Sequence, residues 1–138
     1  MEEYMTRNIS NTLFGVLDFH LEEAGEQRAT ISVEIAEKHS NGQGDAHGGT
    51  LMALADTAMG VACNFLGEKI VTTDLQYRFL REVLPGDRVV ARGEILKLGR
   101  SLITTVCHLY VGEKEVGYAS ASFFRTHREQ SDDGECNG

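Results

Sequence analysis

From Arg28 to Ile35 the chain alternates without a break: Ala29, Ile31, Val33 and Ile35 are apolar, Arg28, Thr30, Ser32 and Glu34 polar. A period of two marks a strand with one apolar face and one wet face. The period changes after Gly48. Leu51, Leu54, Ala55, Ala58, Val61, Ala62 and Phe65 recur at threes and fours, which predicts a helix buried on most sides and stopped at Gly67. Residues 70–81, 87–98, 101–111 and 115–126 then read as strands. Their separators, Pro85-Gly86, Gly99-Arg100 and Gly112-Glu113, have the composition of hairpin-like turns. Upstream, 3–13 predicts a short amphipathic helix with Tyr4, Ile9 and Leu13 buried, and 14–21 a strand that closes in a turn at Gly25.

A helix, two strands, a long buried helix and four more strands predict an α+β domain whose antiparallel sheet wraps the long helix. One such domain fills residues 1–127, leaving a polar tail over 128–138. A single long layer has edges to protect, so a dimer through an edge strand is expected.

The formal net charge of -8 changes the picture only by exclusion. Glu2, Glu3, Glu129, Asp132, Asp133 and Glu135 put much of the acid at the ends, where it serves solubility. A nucleic-acid partner would need a basic face. No apolar run near membrane-span length and no leader-like start are read, so the expectation is a cytoplasmic protein without membrane contact. Cys63, Cys107 and Cys136 are widely spaced and suit neither a disulfide framework nor a metal site; the first two read as core residues.

The chemistry concentrates in Asn41-Gly-Gln-Gly-Asp-Ala-His-Gly-Gly-Thr50, which runs straight into the greasy helix, and in Asp56 within that helix. Amides at a helix start can polarise a carbonyl oxygen. A carboxylate on a buried apolar helix needs a reason, and Ala55, Thr57, Ala58 and Met59 give it no local basic partner. Together they point to a site that attacks an acyl group.

With Asn41, His47-Gly48-Gly49 and Leu54-Ala55-Asp56, supported by Thr72-Thr-Asp-Leu-Gln-Tyr-Arg-Phe-Leu80 and Pro85-Gly86-Asp87, the chain resembles the hotdog-fold thioesterases over residues 8–126, specifically the phenylacetate-pathway acyl-CoA thioesterase branch. The resemblance implies a hotdog fold and a homodimer, often a dimer of dimers, with sites at the subunit boundary. It implies hydrolysis of an aryl- or medium-chain acyl-CoA without metal or redox cofactor, coenzyme A entering only as part of the substrate. By that resemblance Gly48 donates its N–H to the thioester oxygen, with Gly49 also at the substrate. His47 and Asn41 orient, Thr72 helps place water, and Asp56, supplied across the interface, acts as general base or nucleophile. Arg81-Glu82-Val83 stands where relatives often have Arg-Pro, a difference expected only at a strand end.

Each of these residues has a plainer role open to it. Asp56 can be a solvent-facing helix carboxylate, Gly48-Gly49 a turn, His47 a flanking hydrogen bonder and Asn41 a turn former. For the coenzyme A phosphates Arg100 is the first candidate, then Lys97 and Arg81, against ordinary surface charge. Leu51 or Met52 are candidates to line the acyl pocket. His20, His39, His108 and His127 show no ligand pairing. Two rivals remain: a non-catalytic acyl-CoA-binding module, and a hotdog enoyl-CoA hydratase or dehydratase.

Overall fold

A computed structural model describes residues 12–129. Tyr4, Ile9 and the tail from residue 130, Cys136 included, lie outside the described residues. The elements are α1 (Leu13–Val16), β1 (His20–Gly25), β2 (Arg28–Glu34), a 3-10 turn (Glu37–His39), α2 (Gly48–Ala62), a second 3-10 turn (Asn64–Leu66), β3 (Glu68–Phe79), β4 (Arg88–Leu98), β5 (Leu102–Val111) and β6 (Lys114–Glu129). The six strands form one antiparallel sheet in the order β1-β2-β4-β5-β6-β3, and α2 lies across one face. This is the hotdog fold.

Leu54, Ala55, Ala58, Met59 and Ala62 of α2 are buried against Ile31, Val33, Val89, Ala91, Ile103, Leu109 and Ala119 of the sheet. Small helix residues allow a close approach, and Gly93 of β4 completes it. A Cβ there would stand 2.7 Å from the carbonyl carbon of Ala58 and 2.9 Å from the amide of Met59. Glycine inside a strand pattern marks such contacts between backbones. Gly48–Leu66 also reaches a mean hydropathy of 1.3 over a span-length window, contrary to the expectation of no such run; half of that window is buried in the fold, so sheet packing accounts for it.

Four local expectations are corrected. Residues 14–21 do not form one strand: Leu13–Val16 is helical, and β1 starts only at His20. Phe14 and Phe19 both belong to the core and meet edge to face at 6.1 Å. A helical turn followed by Asp18 at φ 57° folds the chain back so that the Phe19 amide reaches the Phe14 carbonyl at 3.0 Å. Leu13, expected inside, is 59% exposed.

Pro85-Gly86 is a tight turn but not a hairpin, because β3 and β4 are not neighbours. The turn closes through the Asp87 amide on the Leu84 carbonyl at 3.0 Å and docks on the end of β2, where Gly86 donates to the Ile35 carbonyl at 2.7 Å. The segment between β3 and β4 thus crosses the sheet's end. Gly99-Arg100 and Gly112-Glu113 do join neighbouring strands. Finally, Ser32 on the supposedly wet face of β2 is buried, its hydroxyl donating to Glu22, because β2 is an inner strand.

Candidate active site

The loop from Ser40 to His47 is built by its own hydrogen bonds. The Asn41 amide reaches the Asp45 carbonyl at 2.8 Å, and its side-chain oxygen accepts from Gln43 at 2.8 Å and Asp45 at 3.1 Å. That oxygen therefore shapes the loop, as asparagine does in turns. The Ala46 amide donates to the Val83 carbonyl at 2.9 Å, so the residue standing at the departure from Arg-Pro braces the loop from below.

His39 is the anchor that reading the sequence missed. It is buried; Nδ1 accepts from the Ala36 amide at 2.8 Å and Nε2 donates to the Leu17 carbonyl at 2.7 Å. Its own carbonyl takes the His47 amide at 2.7 Å. No apolar periodicity singles this histidine out, and only its position just before the Asn41–His47 loop offers a signal.

His47 caps α2. Its Nδ1 accepts the Gly49 amide at 2.8 Å, which requires a neutral ring protonated at Nε2. A Cβ on Gly49 would stand 2.9 Å from that nitrogen. The Gly49 amide is thus committed to the cap. Gly48, the first residue of the helix, has no acceptor for its N–H among the described residues, as the opening turn of a helix leaves it.

Asp56 sits on the same helix, half-buried. Its Oδ1 accepts from the Thr72 hydroxyl at 3.1 Å, and no cation pairs with it among the described residues. Desolvation pushes the carboxyl above the ordinary aspartate value of 3.8, against the opposing pull of the Thr72 hydrogen bond. Thr72 stands at a slip in the pairing of β3 with β6, between Thr72 and Asp74. Thr73, inside the slip, turns its hydroxyl back onto the Ser122 carbonyl at 3.1 Å.

One protomer does not bring all candidates together. Eight residues of helix separate Gly48 from Asp56, about 12 Å at 1.5 Å per residue. Arg81 follows the end of β3 nearest Gly48, its amide on the Val116 carbonyl at 3.2 Å. Arg100 and Lys97 belong to the opposite end, beside the start of β3. There Arg125 holds Glu68 through two bonds of 2.8 and 3.1 Å, and His127 meets the Arg100 carbonyl at 2.9 Å. Leu51 is buried and Met52 half-buried. Cys63 and Cys107 are buried free thiols, both pushed up by desolvation, Cys63 to about 12. Of the remaining histidines, His108 bonds Glu115 at 2.6 Å.

A fold of this kind with a loop-delivered helix start and a desolvated carboxylate defines a class, and the comparisons agree. The family model described as Thioesterase superfamily matches residues 43–118, just over half of the chain. The chain belongs to that superfamily and is a thioester hydrolase with the hotdog fold. The PA0474 protein of Pseudomonas aeruginosa is 32% identical over 108 residues, covering 76% of this chain and 81% of that one. Acyl-coenzyme A thioesterase PaaI of Escherichia coli is 33% identical over 72 residues, 52% of this chain and 51% of that one. A mutant structure of the phenylacetic acid degradation protein PaaI from Thermus thermophilus superposes with a TM-score of 0.77 at 29% identity, covering 80% of this chain and 95% of that one. Within the superfamily the chain is PaaI-like.

Proposed function

We propose that the protein is a cytoplasmic acyl-CoA thioesterase that works as a homodimer, with Asp56 and Thr72 of one protomer facing Gly48 of the other. The observation that carries this reading is Asp56 itself: a half-buried carboxylate, desolvated, unpaired by any cation among the described residues and held by one hydroxyl. Structural carboxylates are compensated by charge or by several donors.

What one chain leaves uncovered supports the dimer. β3 is an edge strand whose end carries exposed Phe79 and Leu80, and Met52, Ala53, Asp56 and Thr57 of α2 are only half covered by their own sheet. Two β3 edges paired antiparallel about residues 75 and 76 would set Phe79 of one opposite Thr72 of the other, because antiparallel partners keep a constant sum of residue numbers. Gly48 touches Phe79 and Asp56 touches Thr72, so the same pairing would draw the helix start of one chain towards the carboxylate of its partner. It would also bring Arg100 and Lys97 of that partner nearer the site than their own Gly48 lies, where they and Arg81 are the cations available to the coenzyme A phosphates.

In this arrangement the Gly48 N–H holds the thioester oxygen as negative charge develops on it, a role that can contribute about 3 kcal/mol. Asp56, ionised, takes a proton from a water that attacks the carbonyl carbon, with Thr72 orienting both. Collapse of the tetrahedral adduct breaks the C–S bond; the coenzyme A thiolate leaves and the free acid remains. Direct attack by Asp56, giving a mixed anhydride that water then opens, balances equally well and uses the same groups. Neither route calls on a metal or redox cofactor.

The test is thiol release from a panel of acyl-CoA esters by the wild type and by Asp56→Asn. General-base assistance accounts for about 10²–10⁴-fold, and a loss of that order in the variant, with the fold intact, is expected. Turnover within a few-fold of wild type would remove Asp56 from the chemistry. Binding without thiol release would favour an acyl-CoA-binding module, and change at the enoyl absorbance band a hydratase.

A further inference from the structure

The loop that delivers α2 closes at its base on one residue. The His39 carbonyl accepts the His47 amide at 2.7 Å and the Thr50 hydroxyl at 3.4 Å, so a single oxygen brackets the Gly48-Gly49 pair from both sides. Ser40 and Ala46 bridge one step further into the loop. That oxygen is fixed by the ring on the same residue. His39 is 1% exposed; its Nδ1 accepts the Ala36 amide at 2.8 Å, and its Nε2 donates to the Leu17 carbonyl at 2.7 Å, 22 residues back in the chain. Leu17 is itself held. It leaves α1 with its amide on the Leu13 carbonyl at 2.9 Å and packs against the core, in a segment whose Phe14 and Phe19 are buried. His39 thus carries an unbroken chain of bonds from the core to the head of the helix.

We infer that His39 is a positioning residue for the thioester site, its ring fixing the direction of the Gly48 N–H through the backbone of His47. This rests on the assignment of that N–H to the thioester oxygen. The Gly48 N–H lies in the plane of the peptide that joins it to His47, and it has no acceptor among the described residues, so its direction follows the placement of His47. The His47 ring caps the helix from within. What ties the capped start to the rest of the fold is the His39 carbonyl, beside the Ala46 amide on Val83. A donor held still matters more to a developing oxyanion than to the ground-state carbonyl, because its worth grows with the charge. Loosening the pin therefore lowers kcat and leaves KM nearly alone. The neighbouring Lys38 offers a contrast: it pairs with Asp18 at the surface and takes no part in bracketing the glycines.

The test compares wild type, His39→Asn, His39→Gln and Lys38→Ala, all full length, in two measurements: thiol release from a panel of acyl-CoA esters, and amide hydrogen exchange read by NMR. His39→Asn keeps an acceptor for the Ala36 amide but is too short to reach Leu17. Its kcat is expected to fall about ten- to hundredfold, with KM within about threefold of wild type. His39→Gln, long enough to donate to Leu17 and a natural partner for a turn-opening amide, is expected to regain most of that loss. Lys38→Ala should match wild type, since an exposed pair holds little. In His39→Asn the His47 and Gly49 amides should exchange about tenfold faster, while those of β4 and β5 keep their wild-type rates. Should His39→Asn not fold, His39→Phe, which fills the ring's volume without its nitrogens, takes its place under the same readouts. An unchanged kcat overturns the inference, as do unchanged loop amides. Faster exchange throughout the sheet overturns it too and makes His39 a packing residue. A wild type that releases no thiol fails the thioesterase reading alone, while exchange of the His47 and Gly49 amides still decides the role of His39.

Discussion

At Asp56 the burial that lifts the carboxyl above 3.8 also governs how stability and activity respond to pH. The folded chain holds this proton more tightly than the unfolded chain. Between the two titrations the native state therefore binds more protons, and stability falls as pH rises through that interval. Above it the ionised carboxylate is a standing cost. Asp56→Asn is accordingly predicted to raise the urea midpoint at neutral pH and to give no such gain below the ordinary aspartate value, where the carboxyl is already neutral. An equal shift at both pH values would show that burial of charge is not the cause. In its proposed role, as base or nucleophile, Asp56 must be ionised, so the acid limb of kcat/KM is predicted to lie above the ordinary aspartate range. This residue was legible in the sequence because charge on an apolar helix is anomalous by itself. Asn41 was legible only as two alternatives, and its side-chain oxygen accepts two hydrogen bonds within the loop. His39 was legible only by its position before the loop, since its ring bonds run to backbone groups that no side-chain pattern records.

Among the elements, α2 and the sheet were readable because their periods differ, 3.6 against 2, over long unbroken runs. What failed was short or non-local. Phe14 and Phe19 fit a strand pattern, yet their mutual contact needs a helical turn and a left-handed residue. Which strand neighbours β3 depends on pairing with β6, some fifty residues away. Gly93 is a signal that was present and unused. Gly93→Ala would drive a methyl group into the backbone of α2 at Ala58, and a loss of about 2–3 kcal/mol in urea unfolding is predicted; a neutral result would mean that helix and sheet separate without cost. Tyr77 makes the opposite case. Its hydroxyl is buried with no hydrogen-bond partner among the described residues, and burial pushes the phenol upward. Removing an unsatisfied polar group relieves a desolvation cost, so Tyr77→Phe is predicted to be stabilising, by about 1 kcal/mol. A comparable loss of stability would reveal a partner for that hydroxyl in the assembled protein.

For the molecule as a whole, the fold and the family could be read from one loop, one helix and the strands that follow, but one chain does not bring Gly48 and Asp56 together. Gly48 and Asp56 share a rigid helix and stay about 12 Å apart on it. In the proposed site a thioester would meet the amide of one copy and the carboxylate of a second, docked at the β3 edge with its exposed aromatic end. The most direct test mixes two inactive parents, Asp56→Asn and Gly48→Val, refolded together. If each site draws its carboxylate from one chain and its amide from the other, half the dimers are mixed and each holds one intact site, so about one quarter of wild-type activity returns. Activity no greater than the sum of the two parents would contradict the shared site.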